Sequence, residues 1–115
     1  MVSQTTPIAK LDQLPAAARD RIEQLRLLFI DRSKGHLTQI QQILVERQTA
    51  SELLAADANL MKLAHSLVGT SGIFGFQALG EAAFKVESIL RETGYKEADF
   101  AEAMAGLIDQ LNSLD

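Results

Sequence analysis

Apolar residues recur along most of this 115-residue chain at the three-and-four spacing of amphipathic helices, and rarely with the alternation of strands. Pro15 is well placed in a first helical turn. From there the stripe Ile22, Leu25, Phe29, Ile40, Ile43 and Leu44 predicts one long helix to about Glu46. Gly35 weakens its middle without breaking it. Ahead of it, Ile8, Leu11 and Leu14 recur every three residues and predict a short arm, or helical turn, over residues 1–14. That arm packs on a domain formed by residues 15–115. The polar run Arg47 to Ser51 makes the first turn, with Ser51 and then Asp57 as helix caps.

A second helix is predicted over about Asp57–Phe74. A third, over about Phe76–Thr93, has core positions Leu79, Ala83, Val86 and Leu90 and stops at Gly94. A fourth spans about Lys96–Leu114 and gathers Phe100, Met104, Leu107, Ile108 and Leu111 on one face. Both prolines, Pro7 and Pro15, precede all but the start of this pattern, so none interrupts a helix. Helices of this length joined by short turns pack as antiparallel neighbours. The expected fold is therefore all-α, an up-down four-helix bundle.

The second helix is the unusual one. With Leu60 at the origin of a helical wheel, Leu60, Leu63, Ala64, Leu67, Ser71 and Phe74 fall within a sector of about 100°. His65 lies about 140–150° from the centre of that sector, so it points outward in mid-helix. Gly69 sits beside it one turn on, and Gly72 continues the strip. Each glycine inside a helix costs about 0.5–1 kcal/mol relative to alanine. On an exposed strip beside an imidazole, two of them make sense where another molecule must come close.

Composition narrows the chemistry. Hydrophobic residues make up 47% of the chain and charged residues 23%, which suits a single globular core rather than disorder. Eleven Lys and Arg against 15 Asp and Glu give a net charge of −4, so no nucleic-acid partner is expected. The absence of cysteine excludes disulfides, thiolate metal sites and a thiol nucleophile, and fits a cytoplasmic setting. Apolar runs of four or five residues do not span a membrane. The residues three before the two histidines are Ser33 and Lys62, not the glutamates of a metal-binding bundle, so no metal or cofactor is expected on the chain. Phosphate-loop patterns are missing as well, which argues against an enzyme with kinase activity of its own. His36, at the edge of the first helix's apolar stripe, reads as a partly buried structural residue.

The string Ala-His-Ser-Leu-Val-Gly-Thr-Ser-Gly-Ile-Phe-Gly over residues 64–75, followed by Leu79, resembles the signature of histidine-containing phosphotransfer (HPt) domains. That resemblance implies a phosphocarrier of a two-component phosphorelay. His65 is then the phosphoacceptor, exchanging a phosphoryl group with receiver-domain aspartates or taking it from a histidine kinase. It also implies that Glu87 occupies the place of the acidic or amide residue that orients the histidine. Mg²⁺ is expected on the partner receiver domain. The family usually carries lysine three residues after the histidine, and Val68 stands there. Either Lys62, one turn before His65, or the incoming partner supplies that charge. Met61, Lys62, Ser66, Val68, Gly69 and Gly72 form the expected docking strip, with Met61 and Val68 exposed. A monomer is expected, since no apolar seam is left over. The start at Met1 favours a free-standing protein over a piece of a hybrid kinase. The competing reading is a phosphate-free adaptor that docks a receiver or kinase domain through the same scaffold.

Overall fold

A computed structural model describes residues 14–114. Helix α1 spans Ala16–Glu46, α2 Leu53–Ile73, α3 Gln77–Arg91 and α4 Glu97–Asn112, with a single 3₁₀ turn at Ala50–Glu52 between α1 and α2. Consecutive helices pack against one another and α1 closes on α4. The result is the four-helix bundle that the spacing predicted. Of the expected arm, only Leu14 lies among the described residues, and it is half-buried.

The core lies where the stripes placed it. Leu79, Ala83, Val86 and Leu90 of α3 are buried against Phe100, Met104, Leu107 and Leu111 of α4. α2 contributes Ala56, Leu60, Ala64, Leu67 and Ser71, while Leu63 and Phe74 are half-buried. In α1 the prediction holds from Phe29 onward and fails before it: Ile22 is half-buried and Leu25 exposed. The reason is length. At 31 residues α1 is about 46 Å long, against about 32 Å for the 21 residues of α2. Phe29 already meets the turn that ends α2, so among the described residues the turns of α1 before it extend beyond α2, with Arg26 still lying 4.9 Å over the Phe76 ring.

That turn is built on Gly75. Its φ of 78° is a left-handed conformation that glycine adopts without penalty. The Gly75 N–H bonds the Gly72 carbonyl at 3.4 Å and the Phe76 N–H bonds the Ser71 carbonyl at 2.9 Å, the paired bonds of a Schellman motif. The rings of Phe74 and Phe76 then stack on Phe29 at 5.3 and 5.4 Å, tying the C-terminus of α2 to α1.

The other end of α2 is held by Arg47, and here the expected caps are overturned. Ser51 sits in the 3₁₀ turn and makes no side-chain cap. α2 starts at Leu53, which places Asp57 inside the helix, where its carboxylate accepts a bond from Arg47 Nε at 2.5 Å. The same guanidinium donates to Tyr95 Oη at 2.7 Å and to Glu97 at 3.0 Å, and lies 3.9 Å above the Phe100 ring. Tyr95 donates its hydroxyl proton to Asp57. Burial opposes the charge on Arg47, but the bonds to Glu97, Asp57 and Tyr95 outweigh it and hold the guanidinium protonated. α3 ends at Arg91 rather than Thr93, and Gly94, at φ 71°, turns the chain toward α4.

This knot joins the end of α1, α2, the α3–α4 turn and α4. Replacing Arg47 with methionine removes every bond that ties α1 into this knot and leaves Asp57 with Tyr95 alone. The variant is expected to lose about 3 kcal/mol of stability, the cost of breaking a largely buried charge cluster on one side. Urea unfolding followed by helical circular dichroism measures it, and an unchanged midpoint would refute the role.

Candidate functional site

His65 stands in the middle of α2 with 70% of its side chain exposed, as the wheel predicted. Its ring is nevertheless fixed. Nδ1 lies 2.6 Å from Oε2 of Glu87, which reaches across from α3. Glu87 itself is buried, only 4% exposed. An ionised carboxylate offers acceptors only, so the hydrogen on this bond belongs to Nδ1. In the neutral imidazole the free lone pair then belongs to Nε2. Arg91, one turn after Glu87, donates from Nη2 to the same Oε2 at 2.7 Å. The two bonds laid end to end limit the distance between Nη2 and Nδ1 to 5.3 Å.

The bond from Arg91 holds the Glu87 carboxyl below its usual range against the opposing effect of burial, and the bond from His65 adds to it. Glu87 therefore stays ionised at neutral pH despite the burial that opposes its charge.

Such a reach requires α2 and α3 to approach closely. A Cβ at Gly80 would sit 3.4 Å from Cβ of the buried Ser71 and 3.9 Å from the Val68 carbonyl. This glycine and serine are what let the two helices pack tightly. Gly69 and Gly72 do something else, because a Cβ at either would meet nothing within 4 Å. They keep the crest of α2 low around His65.

Around the histidine, Lys62 and Arg91 line one shallow depression together with Met61, Ser66 and Glu87. Lys62 and Ser66 are exposed, as expected, and Lys62 forms no ion pair among the described residues. Met61 and Val68 are not exposed: both are half-buried and packed on the core. They lie on the flank of α2 that α3 covers, which a wheel drawn for one helix does not show. Val68 thus borders the crest instead of standing on it. Arg91 and Gly80 escaped the sequence reading. The signal for Arg91 was its spacing of four from Glu87, which on a helix puts the two side chains together. His36 is half-buried, bonds Gln39 Oε1 through Nδ1 at 2.7 Å, and takes no part in this cluster.

The family model of the Hpt domain matches residues 12–115, nearly the whole chain. The chain belongs to the Hpt family. No curated protein and no solved structure matches it. Membership ties this Hpt domain to histidine phosphotransfer in two-component systems. Among the described residues, no helix is long and apolar enough to cross a membrane.

A carboxyl held below its unfolded range contributes stability that is complete above that range and is lost as pH falls through the lowered folded value. Glu87 is such a group, so Glu87→Gln is expected to destabilise the Hpt domain by about 1–2 kcal/mol at neutral pH. The deficit should shrink as pH falls below the ordinary carboxylate range and the wild-type carboxyl also takes up its proton. Urea midpoints measured across pH test this. A deficit that stays constant with pH would mean that the charge of Glu87 carries no stability.

Proposed function

We propose that this Hpt domain is a phosphocarrier whose acceptor atom is Nε2 of His65. The observation that carries the reading is the 2.6 Å bond from His65 Nδ1 to a buried carboxylate. That bond selects the tautomer with a nucleophilic Nε2 and offers a negative charge to the ring as positive charge develops on it. In the forward step the Nε2 lone pair forms the N–P bond as the P–O bond to a receiver domain's aspartate breaks, and the aspartate leaves as carboxylate. The reverse step, toward another receiver domain, uses the same geometry. A histidine kinase is an equivalent donor.

The residues near the acceptor divide the work. Glu87 orients and stabilises the ring, Arg91 and Lys62 face the phosphoryl oxygens, and Gly69 and Gly72 admit the partner. Mg²⁺ and the acceptor aspartate belong to the receiver domain. The Hpt domain acts as a cytoplasmic monomer in short-lived complexes and has no kinase activity of its own. Val68, in the position where the family usually has lysine, supports a second reading, a phosphate-free adaptor. The buried partner of His65 speaks against it, since a docking surface has no need of a selected tautomer.

Incubation with a phosphorylated receiver domain decides between them. An acid-labile label is expected on the wild type and none on His65→Ala, which should keep its helical spectrum. Equal label on both would remove His65 from the mechanism. In Arg91→Ala, loss of one charge-assisted contact is expected to shorten the phosphohistidine lifetime about fivefold or more. An unchanged half-life would assign the charge to Lys62 or to the partner. Val68→Lys should lengthen the same half-life, and no change there would show that the cations already present suffice.

A further inference from the structure

The crest of α2 has two unlike ends, and the residue that reveals this lies on α3. Gly80, Phe84, Glu87 and Arg91 follow one another along one stripe of that helix. Glu87 meets His65 and Gly80 meets Ser71, which fixes the antiparallel register of α3 on α2. Phe84, three residues before Glu87, therefore falls opposite Val68, three residues after His65. Its side chain is not buried by this pairing: Phe84 is 59% exposed. Farther along the crest Ile73 is 55% exposed, and between the two lie Gly69 and Gly72, above which the space is open. On the other side of His65 stand Lys62 and the guanidinium of Arg91. His65 thus divides a cationic end from an apolar end.

Singly exposed apolar residues are ordinary on protein surfaces. An aromatic ring and an isoleucine flanking a low glycine saddle, beside a reactive imidazole, are a patch with a defined neighbour. The valine in place of the family's usual lysine fits the same picture, because Val68 carries the apolar character of Phe84 up to the histidine. Resting on the phosphocarrier reading above, we propose that this strip orients one receiver domain. Its acidic, phosphoryl-bearing face lies over Lys62 and Arg91, and an apolar part of its surface lies over the glycines against Phe84. Charge selects the occupant. A phosphorylated aspartate is anionic and must stand within bonding distance of Nε2, so it faces the cations, and the rest of the contact falls on the apolar end. Phe84 is a specificity-determining residue that never touches the reacting atoms.

The test uses two phosphoryl donors. Phosphoramidate is small and needs no docking: its P–N bond breaks as the Nε2–P bond forms, and ammonia leaves. A receiver domain charged beforehand with acetyl phosphate needs the whole strip. Phe84→Ala is expected to lower the second-order rate of transfer from the receiver domain about tenfold, the effect of removing an aromatic anchor. Its labelling by phosphoramidate should match that of the wild type. Phe84→Leu should recover most of the lost rate. Transfer within twofold of wild type in Phe84→Ala would overturn the proposal, as would an equal loss with both donors, which would mean that the substitution disturbs His65 itself. Phosphoramidate labelling of the wild type combined with no transfer from any receiver domain would also overturn it. Concentration-dependent self-association that disappears in Phe84→Ala would assign the patch to a second copy of this chain instead. If phosphoramidate leaves His65 unlabelled, it is the phosphocarrier reading that fails.

Discussion

A single carboxylate oxygen, Oε2 of Glu87, organises the surroundings of His65 in this Hpt domain. Burial works against its charge, and two donors from opposite sides, His65 and Arg91, restore it. Everything nearby serves that meeting. The glycine at position 80 and the serine at 71 bring α3 close enough for the carboxylate to reach the ring. The Nδ1 proton is committed by the bond, so in the neutral ring the free lone pair belongs to Nε2. The guanidinium is kept beside the imidazole by the oxygen that they share. Removing that oxygen would leave an ordinary surface histidine, free to rotate and to change tautomer.

The fold was largely legible in the sequence because helix periodicity is a local signal and the core of a bundle is the sum of four such signals. The stripes of α3 and α4 and the inner face of α2 follow directly from it. The misreadings share one origin, in partners distant along the chain. Asp57 has the residue type of a cap, but its carboxylate is met by Arg47, ten residues earlier, and Tyr95, 38 residues later. No local rule sees that arrangement. Leu25 belongs to the apolar stripe of α1, yet among the described residues no helix covers it. Met61 and Val68 lie away from the core sector of their own wheel and are covered by a neighbouring helix.

At the site itself, the outward direction of His65 and the open strip of Gly69 and Gly72 were readable from angle and composition. The role of Glu87 entered through a resemblance, and its burial and its bond are what the structure adds. The glycines show why composition alone misleads: Gly80 packs two helices together, Gly69 and Gly72 face open space, and Gly75 turns the chain. One residue type does three jobs, told apart only by what surrounds each Cα.

α2 is fastened at both ends, by the Phe29–Phe74–Phe76 stack after Ile73 and by the Arg47 knot near Leu53. The helix that carries His65 therefore has little configurational freedom left to lose when a partner arrives, so the ordering cost of association on this side is small. For an Hpt domain, whose family works in histidine phosphotransfer, a helix set in advance matters more than tight binding. An encounter can be brief and loosely held, because the imidazole on this helix is already held in place by Glu87. Fidelity then comes from the rigidity of the platform, and the length of each visit is left to the surface around it.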